Sequence, residues 1–141
     1  MPDDRPACFI DTNIWLYAFI ETDDVSKSLI ARALIRESEP VVSTQVINEV
    51  CINLLRQANF TEEQIGRLVE SFYAKCRVVE LTQPVLLAAS GLRQRYSLSF
   101  WDSMIVASAL SAGVPVLYSE DMHHGLNIED QLQIRNPFTV T

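Results

Sequence analysis

Short apolar runs that alternate with stretches of helical periodicity constrain this chain most. Ala7–Ile10, Pro40–Ser43, Cys76–Leu81, Val114–Tyr118 and Leu132–Arg135 read as strands, each a brief apolar run bounded by turn or capping residues. Between them, apolar residues recur at helical spacing. Val25–Glu37 places Leu29, Ile30, Ala33 and Leu34 on one face, and Thr44–Gln57 carries a stripe through Ile47, Val50, Cys51, Leu54 and Leu55. Ile14–Ile20 reads as a short helix or turn, followed by an acidic loop from Glu21 to Asp24. Thr61-Glu62-Glu63-Gln64 is a capping-box opening for a further helix. Pro84 lies in the first turn of a helix running to about Tyr96, where the missing N–H of proline is tolerated. Ser99–Ala112 is strongly apolar, and Gly113 ends it. Strands joined through helices pair in parallel by crossovers, with helices covering the sheet. The expected class is α/β, three layers α/β/α around a central, mostly parallel sheet. The 141 residues fit a single domain, 1–141, with no repeat and no low-complexity segment.

Composition narrows the function. The net charge is −7, the only lysines are Lys27 and Lys75, and the arginines are dispersed. A protein that grips nucleic acid through a broad basic surface needs the opposite balance. An enzyme that meets phosphates through bound metal ions does not. No apolar run approaches the ~20 residues needed to span a bilayer. The start, Met1 to Arg5, is acidic where a signal peptide is basic. The expected location is the cytoplasm, with no membrane partner. Cys8, Cys51 and Cys76 lack metal-type spacing and sit among apolar neighbours, so they read as buried free thiols.

Ligands of an open parallel sheet bind beyond the carboxyl ends of its strands. The first strand ends in Asp11, and Val114–Tyr118 is followed by Ser119-Glu120-Asp121. The second strand ends in Ser43, and the helix it feeds carries Glu49; Asp102 lies in the first turn of Ser99–Ala112. One sheet edge can therefore gather four carboxylates. Two unit charges ~4 Å apart repel by ~4 kcal/mol at an effective dielectric of ~20. Such a cluster is held with shared protons or bound cations, and Mg²⁺ or Mn²⁺ takes oxygen ligands of this kind. Each residue also has a plainer reading. Asp11 fits a turn cap, and Ser99-Phe100-Trp101-Asp102 is itself a capping box. A helical wheel sets Glu49 opposite the stripe through Ile47, Cys51 and Leu54, which favours a solvated face. Glu120 and Asp121 fit a plain acidic loop, and His123 and His124 a polar surface pair.

Phe9-Ile10-Asp11-Thr12-Asn13, Val46-Ile47-Asn48-Glu49-Val50, Ser99-Phe100-Trp101-Asp102-Ser103-Met104-Ile105-Val106-Ala107 and Leu117-Tyr118-Ser119-Glu120-Asp121-Met122 resemble, in order, the four signature blocks of PIN domains. They look most like the VapC-like toxins of bacterial toxin–antitoxin pairs. The stretch from His124-Gly125 through Asn136-Pro137-Phe138 is similar to the end of many of those toxins. The resemblance spans nearly the whole chain. It implies a PIN-like fold, Mg²⁺- or Mn²⁺-dependent cleavage of RNA, dimerisation and inhibition by a small antitoxin. Carried over, Asp11, Glu49, Asp102 and Asp121 are the catalytic and metal-binding acids, with Glu120 a further candidate ligand. Asn13 and Ser119 would orient them by hydrogen bonds.

The expected activity is metal-assisted hydrolysis of RNA phosphodiesters. A solitary RNA-processing PIN nuclease and a non-catalytic PIN-like scaffold are the alternatives. A phosphoacceptor signalling domain wants its Asp after a middle strand and a Lys after a late one, where this chain has Thr82-Gln83 and Ser119-Glu120. A haloacid-dehalogenase-type phosphatase wants a second Asp where Asn13 stands, and an amide cannot serve as its acid or base. Trp15, Tyr17 and Phe19 offer more aromatic surface than a short helix easily buries, which fits either a homodimer interface or completion of the core, and the resemblance carries the expectation of a homodimer. An antitoxin tail carrying Arg or Lys would suit the acidic site, pairing with Asp11 or Asp102.

Overall fold

The structure is a computed structural model that describes residues 4–20 and 23–139. Met1 to Asp3 of the acidic start, and Glu21 and Thr22 of the acidic loop, lie outside the described residues.

The chain runs β1 (Ala7–Ile10), α1 (Thr12–Phe19), α2 (Val25–Glu37), β2 (Glu39–Ser43), α3 (Thr44–Gln57), α4 (Glu62–Lys75), β3 (Arg77–Val79), α5 (Gln83–Arg95), α6 (Phe100–Ala112), β4 (Val116–Tyr118), β5 (Asn127–Ile128) and β6 (Leu132–Arg135). The strands form one sheet in the order β3-β2-β1-β4-β6-β5. All neighbours are parallel except β5 and β6. The steps β1 to β2 to β3 go one way and the step to β4 goes back across β1. Right-handed crossovers then place α1–α4 on one face of the sheet and α5 and α6 on the other, the expected three layers. Strand order reverses between β1 and β4, which pair Phe9 with Leu117 and Ile10 with Tyr118.

Burial explains the composition of the elements. Phe9, Ile10, Val42 and Leu117 are fully buried, as strands covered on both faces must be. Helix α6 buries nearly every residue from Ser103 to Ala109, so it is apolar all round rather than striped. Its hydroxyls are satisfied within the helix: Ser103 donates to the Phe100 carbonyl at 2.6 Å and Ser108 to that of Met104 at 2.8 Å. The cysteines are free, and burial raises all three thiols, Cys76 to about 11.

Several boundaries differ from the sequence reading. Strand β4 starts at Val116 rather than Val114, because Pro115 has no N–H for the ladder. Strand β3 keeps only the middle of the expected run from Cys76 to Leu81, since the Cys76 amide still caps α4 by donating to Phe72. Strand β5 was not expected. Its turn holds Glu129 and Asp130 at positive φ, a conformation usually announced by Gly or Asn. Of the aromatic triplet of α1, Trp15 joins the core, Tyr17 is half-buried and Phe19 stays 38% exposed. Trp15 is 3% exposed and meets Phe72 edge-on at 5.0 Å. Its Nε1 donates to the Ile10 carbonyl at 3.0 Å.

Gly113 ends α6 in the left-handed region at φ 72°, with nothing within 4 Å of where a Cβ would stand. Gly113→Ala should therefore lower stability by about 1 kcal/mol from backbone strain alone, and Gly113→Asn by less. Denaturant midpoints of the three proteins check this; equal midpoints would show that the cap relaxes freely.

Candidate active site

Four elements deliver carboxylates to one cleft. Asp11 leaves β1 and caps α1; Glu49 projects from α3; Asp102 lies in the first turn of α6; Asp121 follows β4. Asp11, Glu49, Asp102 and Asp121 all line a cleft of about 220 Å³, together with Asn13 and Trp101. It lies beyond the carboxyl ends of β1 and β4, where the strand order reverses, which is where open α/β sheets place their ligands.

Protein donors hold most of these acids. The Thr12 amide donates to Asp11 Oδ1 at 2.7 Å, and Ser119 Oγ donates to its Oδ2 at 2.9 Å. Thr12 Oγ1 donates to Glu49 Oε2 at 2.6 Å and Gln45 Nε2 to Oε1 at 2.9 Å. Asn13 Nδ2 donates to Asp121 Oδ2 at 2.6 Å. Ser99 Oγ accepts from the Asp102 amide at 3.1 Å, so Asp102 is at once the residue whose amide the helix cap takes and a wall of the cleft. Burial pushes Asp11 up to about 6, with Glu49 and Asp102 adding repulsion against the hydrogen bonds from Thr12 and Ser119. Asp102 is also raised, mainly by burial, then by Asp121 and Glu49.

Glu49 is half-buried rather than on a solvated face. The wheel assumed a single buried stripe, but α3 has a second contact. Gln45, only 6% exposed, bridges Glu49 and the Trp101 carbonyl of α6. Glu120 faces away from the cleft. Its carboxylate pairs with Lys27 and accepts from the Tyr17 hydroxyl at 2.9 Å. His123 and His124 are exposed and do not line the cleft; His124 Nδ1 accepts from the Asn136 amide at 3.0 Å. Sequence reasoning missed Thr12 and Gln45. Gln45 and Glu49 do stand four apart on one helix, the spacing at which side chains meet.

The acids of the cleft offer only carboxylate oxygens, the donor type that suits Mg²⁺ or Mn²⁺ rather than a soft metal. A cation would also relieve the charge that raises Asp11 and Asp102. Among the described residues, no three His, Cys, Asp or Glu side chains already stand at metal-binding spacing. The acids fit such an ion in the chemistry of their donor atoms, and carboxylate lone pairs not taken by their present donors are free to hold it.

The sequence matches the PIN domain family over residues 8–124. Solved structures share the fold at low identity. A toxin–antitoxin complex from Klebsiella pneumoniae superposes with a TM-score of 0.71 at 18% identity, covering 94% of this chain and 99% of that one. VapC20 of Mycobacterium tuberculosis, a sarcin–ricin loop cleaving toxin, gives 0.64 at 19%, covering 78% and 86%. VapBC2 from Rickettsia felis, bound to a DNA fragment from its promoter, gives 0.64 at 17%, covering 92% and 98%. Among curated proteins, none matches the chain in sequence.

The raised pKa of Asp11 sets a pH dependence. Its ordinary value is 3.8 and its folded value about 6, so the folded protein holds this proton more tightly than the unfolded chain does. The resulting stability is full below about pH 4 and is lost as pH rises through about 6. Asp11→Asn removes the charge while keeping the cap to the Thr12 amide. In EDTA at pH 8 the variant should melt higher, by about 3 kcal/mol or roughly 10 °C, and the gain should vanish near pH 4. Thermal melts across pH check this; no gain at pH 8 would remove the buried-charge account.

Proposed function

The chain belongs to the PIN domain family, and from the geometry of its cleft we propose that it is a metal-dependent ribonuclease hydrolysing phosphodiester bonds in RNA. The observation that carries this reading is the meeting of Asp11, Glu49, Asp102 and Asp121 in one cleft where the strand order reverses. These four acids would hold the Mg²⁺ or Mn²⁺. Bound there, the ion supplies Lewis-acid activation of water and of the phosphodiester, and offsets charge at the leaving oxygen.

The residues of the chain do the rest. Ser119 and the Thr12 amide fix both oxygens of Asp11. Asn13 holds Asp121, while Thr12 and Gln45 hold Glu49. Such donors set ligand orientation, and losing one commonly costs ~10–100-fold. Glu120 is left out of the ligand set because Lys27 and Tyr17 occupy it. Those contacts instead tether the loop that carries Asp121. Without a cation the acids repel a phosphate, so binding of substrate at the cleft depends on the ion.

We read the protein as the toxin of a toxin–antitoxin pair, acting as a homodimer in the cytoplasm. The likeness to toxins solved in antitoxin complexes supports the pairing with an antitoxin, and no described helix is long and apolar enough to cross a membrane. A groove of about 510 Å³, lined by Trp15, Phe19, Leu68 and Phe72 with Lys75 at its edge, is the surface such a partner's tail would fill.

EDTA should abolish cleavage of an unstructured RNA, and Mn²⁺ or Mg²⁺ should restore it. Asp11→Asn, Glu49→Gln, Asp102→Asn and Asp121→Asn should each lower kcat/KM more than Asn13→Ala or Ser119→Ala, which should cost about 10–100-fold. Glu120→Gln should cut close to wild type. Calorimetry should show metal affinity lost in the four acidic variants. Wild-type cleavage by the four would sink the assignment.

A further inference from the structure

We propose that a pocket beside the acidic cleft is a nucleobase subsite, where an unpaired base next to the scissile bond stacks on Trp101 and presents its edge to Asn48. This rests on reading the cleft as a nuclease site. The pocket, of about 380 Å³, is lined by Gln45, Asn48, Glu49, Leu81 and Trp101. Glu49 and Trp101 also line the acidic cleft, so the two cavities share a wall.

Trp101 is 61% exposed, although it is large and apolar. It is also held in place. Phe100 packs edge-on against it at 5.2 Å, and the Arg93 guanidinium lies 4.5 Å from the Phe100 ring centre. Arg93 is fixed in turn by donating to Ser103 Oγ at 2.6 Å. The Trp101 carbonyl accepts from Gln45 Nε2 at 3.3 Å. An exposed indole on a pinned backbone is a preorganised stacking platform. Asn48 is exposed, and among the described residues its side chain has no hydrogen-bond partner, so one donor group and one acceptor are available for a base edge. The pocket wall also holds the one buried side-chain acceptor without a donor among the described residues, Gln45 Oε1.

Charge selects the occupant. With a net charge of −7 the chain as a whole repels a phosphate backbone, and among the residues that line this pocket only Glu49 is charged. A phosphate is repelled there, whereas a neutral base is not. Stacking on an aromatic side chain is the contact with nucleic acid that needs no positive charge, and it requires bases that are splayed from a helix. The substrate is therefore a single-stranded segment or a loop.

Trp15 is buried, so quenching of tryptophan emission by RNA reports on Trp101. The test titrates single-stranded octamers of A, C, G and U into the protein with all four acids intact and with Ca²⁺ in place of Mg²⁺, a larger cation that takes the same oxygen ligands in a looser geometry and so slows cleavage. At least one octamer should quench. Trp101→Leu should weaken its binding about tenfold or more, Trp101→Phe should restore most of it, and metal affinity should not change in either. Circular dichroism and melting confirm the fold of each variant. In the otherwise wild-type protein Trp101→Leu should raise KM for RNA, and Asn48→Ala should reorder the preference among the four octamers. Unchanged emission at saturating RNA, or binding by Trp101→Leu within twofold for all four, overturns the subsite. If octamers quench Trp101 while wild-type protein with Mn²⁺ cuts no RNA, the subsite stands and the nuclease reading falls.

Discussion

Asp11 stands where the strand order reverses, and its carboxylate answers to the fold and to the site together. One oxygen caps α1 through the Thr12 amide and the other accepts from Ser119 on the neighbouring strand end. These bonds join β1, α1 and the loop after β4 at a single point, and the Asp11 amide adds a bond to the Tyr118 carbonyl at 3.0 Å. A neutral cap would serve the fold as well. Burial works against the charge, which is why the group titrates near 6. The position keeps an acid at a cost to stability, the pattern expected where selection acts on chemistry rather than on folding.

Much of this was legible in the sequence, for identifiable reasons. The strands and helices announced themselves because a doubly covered sheet needs continuous apolar strands, and because Ser99, Thr61 and Gly113 mark helix ends in a local code. Asp11, Asp102 and the pair Glu120-Asp121 were legible as candidates because strand ends and first helical turns are fixed by the alternation of elements. Glu49 was not legible from the residues themselves. Its burial depends on a bridge from Gln45 to the Trp101 carbonyl, a contact between residues far apart in the chain that one helical wheel cannot contain. Glu120 and Asp121 are adjacent in a loop and alike in chemistry. They part only because Lys27 and Tyr17, from α2 and α1, take hold of Glu120. The β5–β6 turn escaped notice because Glu129 and Asp130 adopt positive φ without the glycine or asparagine that signals it.

The distribution of charge fits the proposed chemistry better than the net value alone suggests. The acids that face the cleft are held on hydroxyl, amide and backbone donors, none of which is charged. The one lysine near them is turned to Glu120, outside the cleft. Neutral donors orient a carboxylate without cancelling its field, so the cleft keeps its attraction for a cation. A lysine in the same place would have satisfied the acids permanently.

That arrangement also bears on how tightly an ion can be held. Each bond from Thr12, Asn13, Gln45 or Ser119 occupies a lone pair that a metal would use. A carboxylate has about four such sites, so Asp11 can keep both its donors and still coordinate through what remains. Asp121 is the freer case, since it is exposed and is held through a single oxygen by Asn13. On the proposed reading, Asp11 is the fixed post of the site and Asp121 its freer arm. An ion held by both would link the loop after β4 to β1, and the pairing of Glu120 with Lys27 ties that same loop to α2 on its other side.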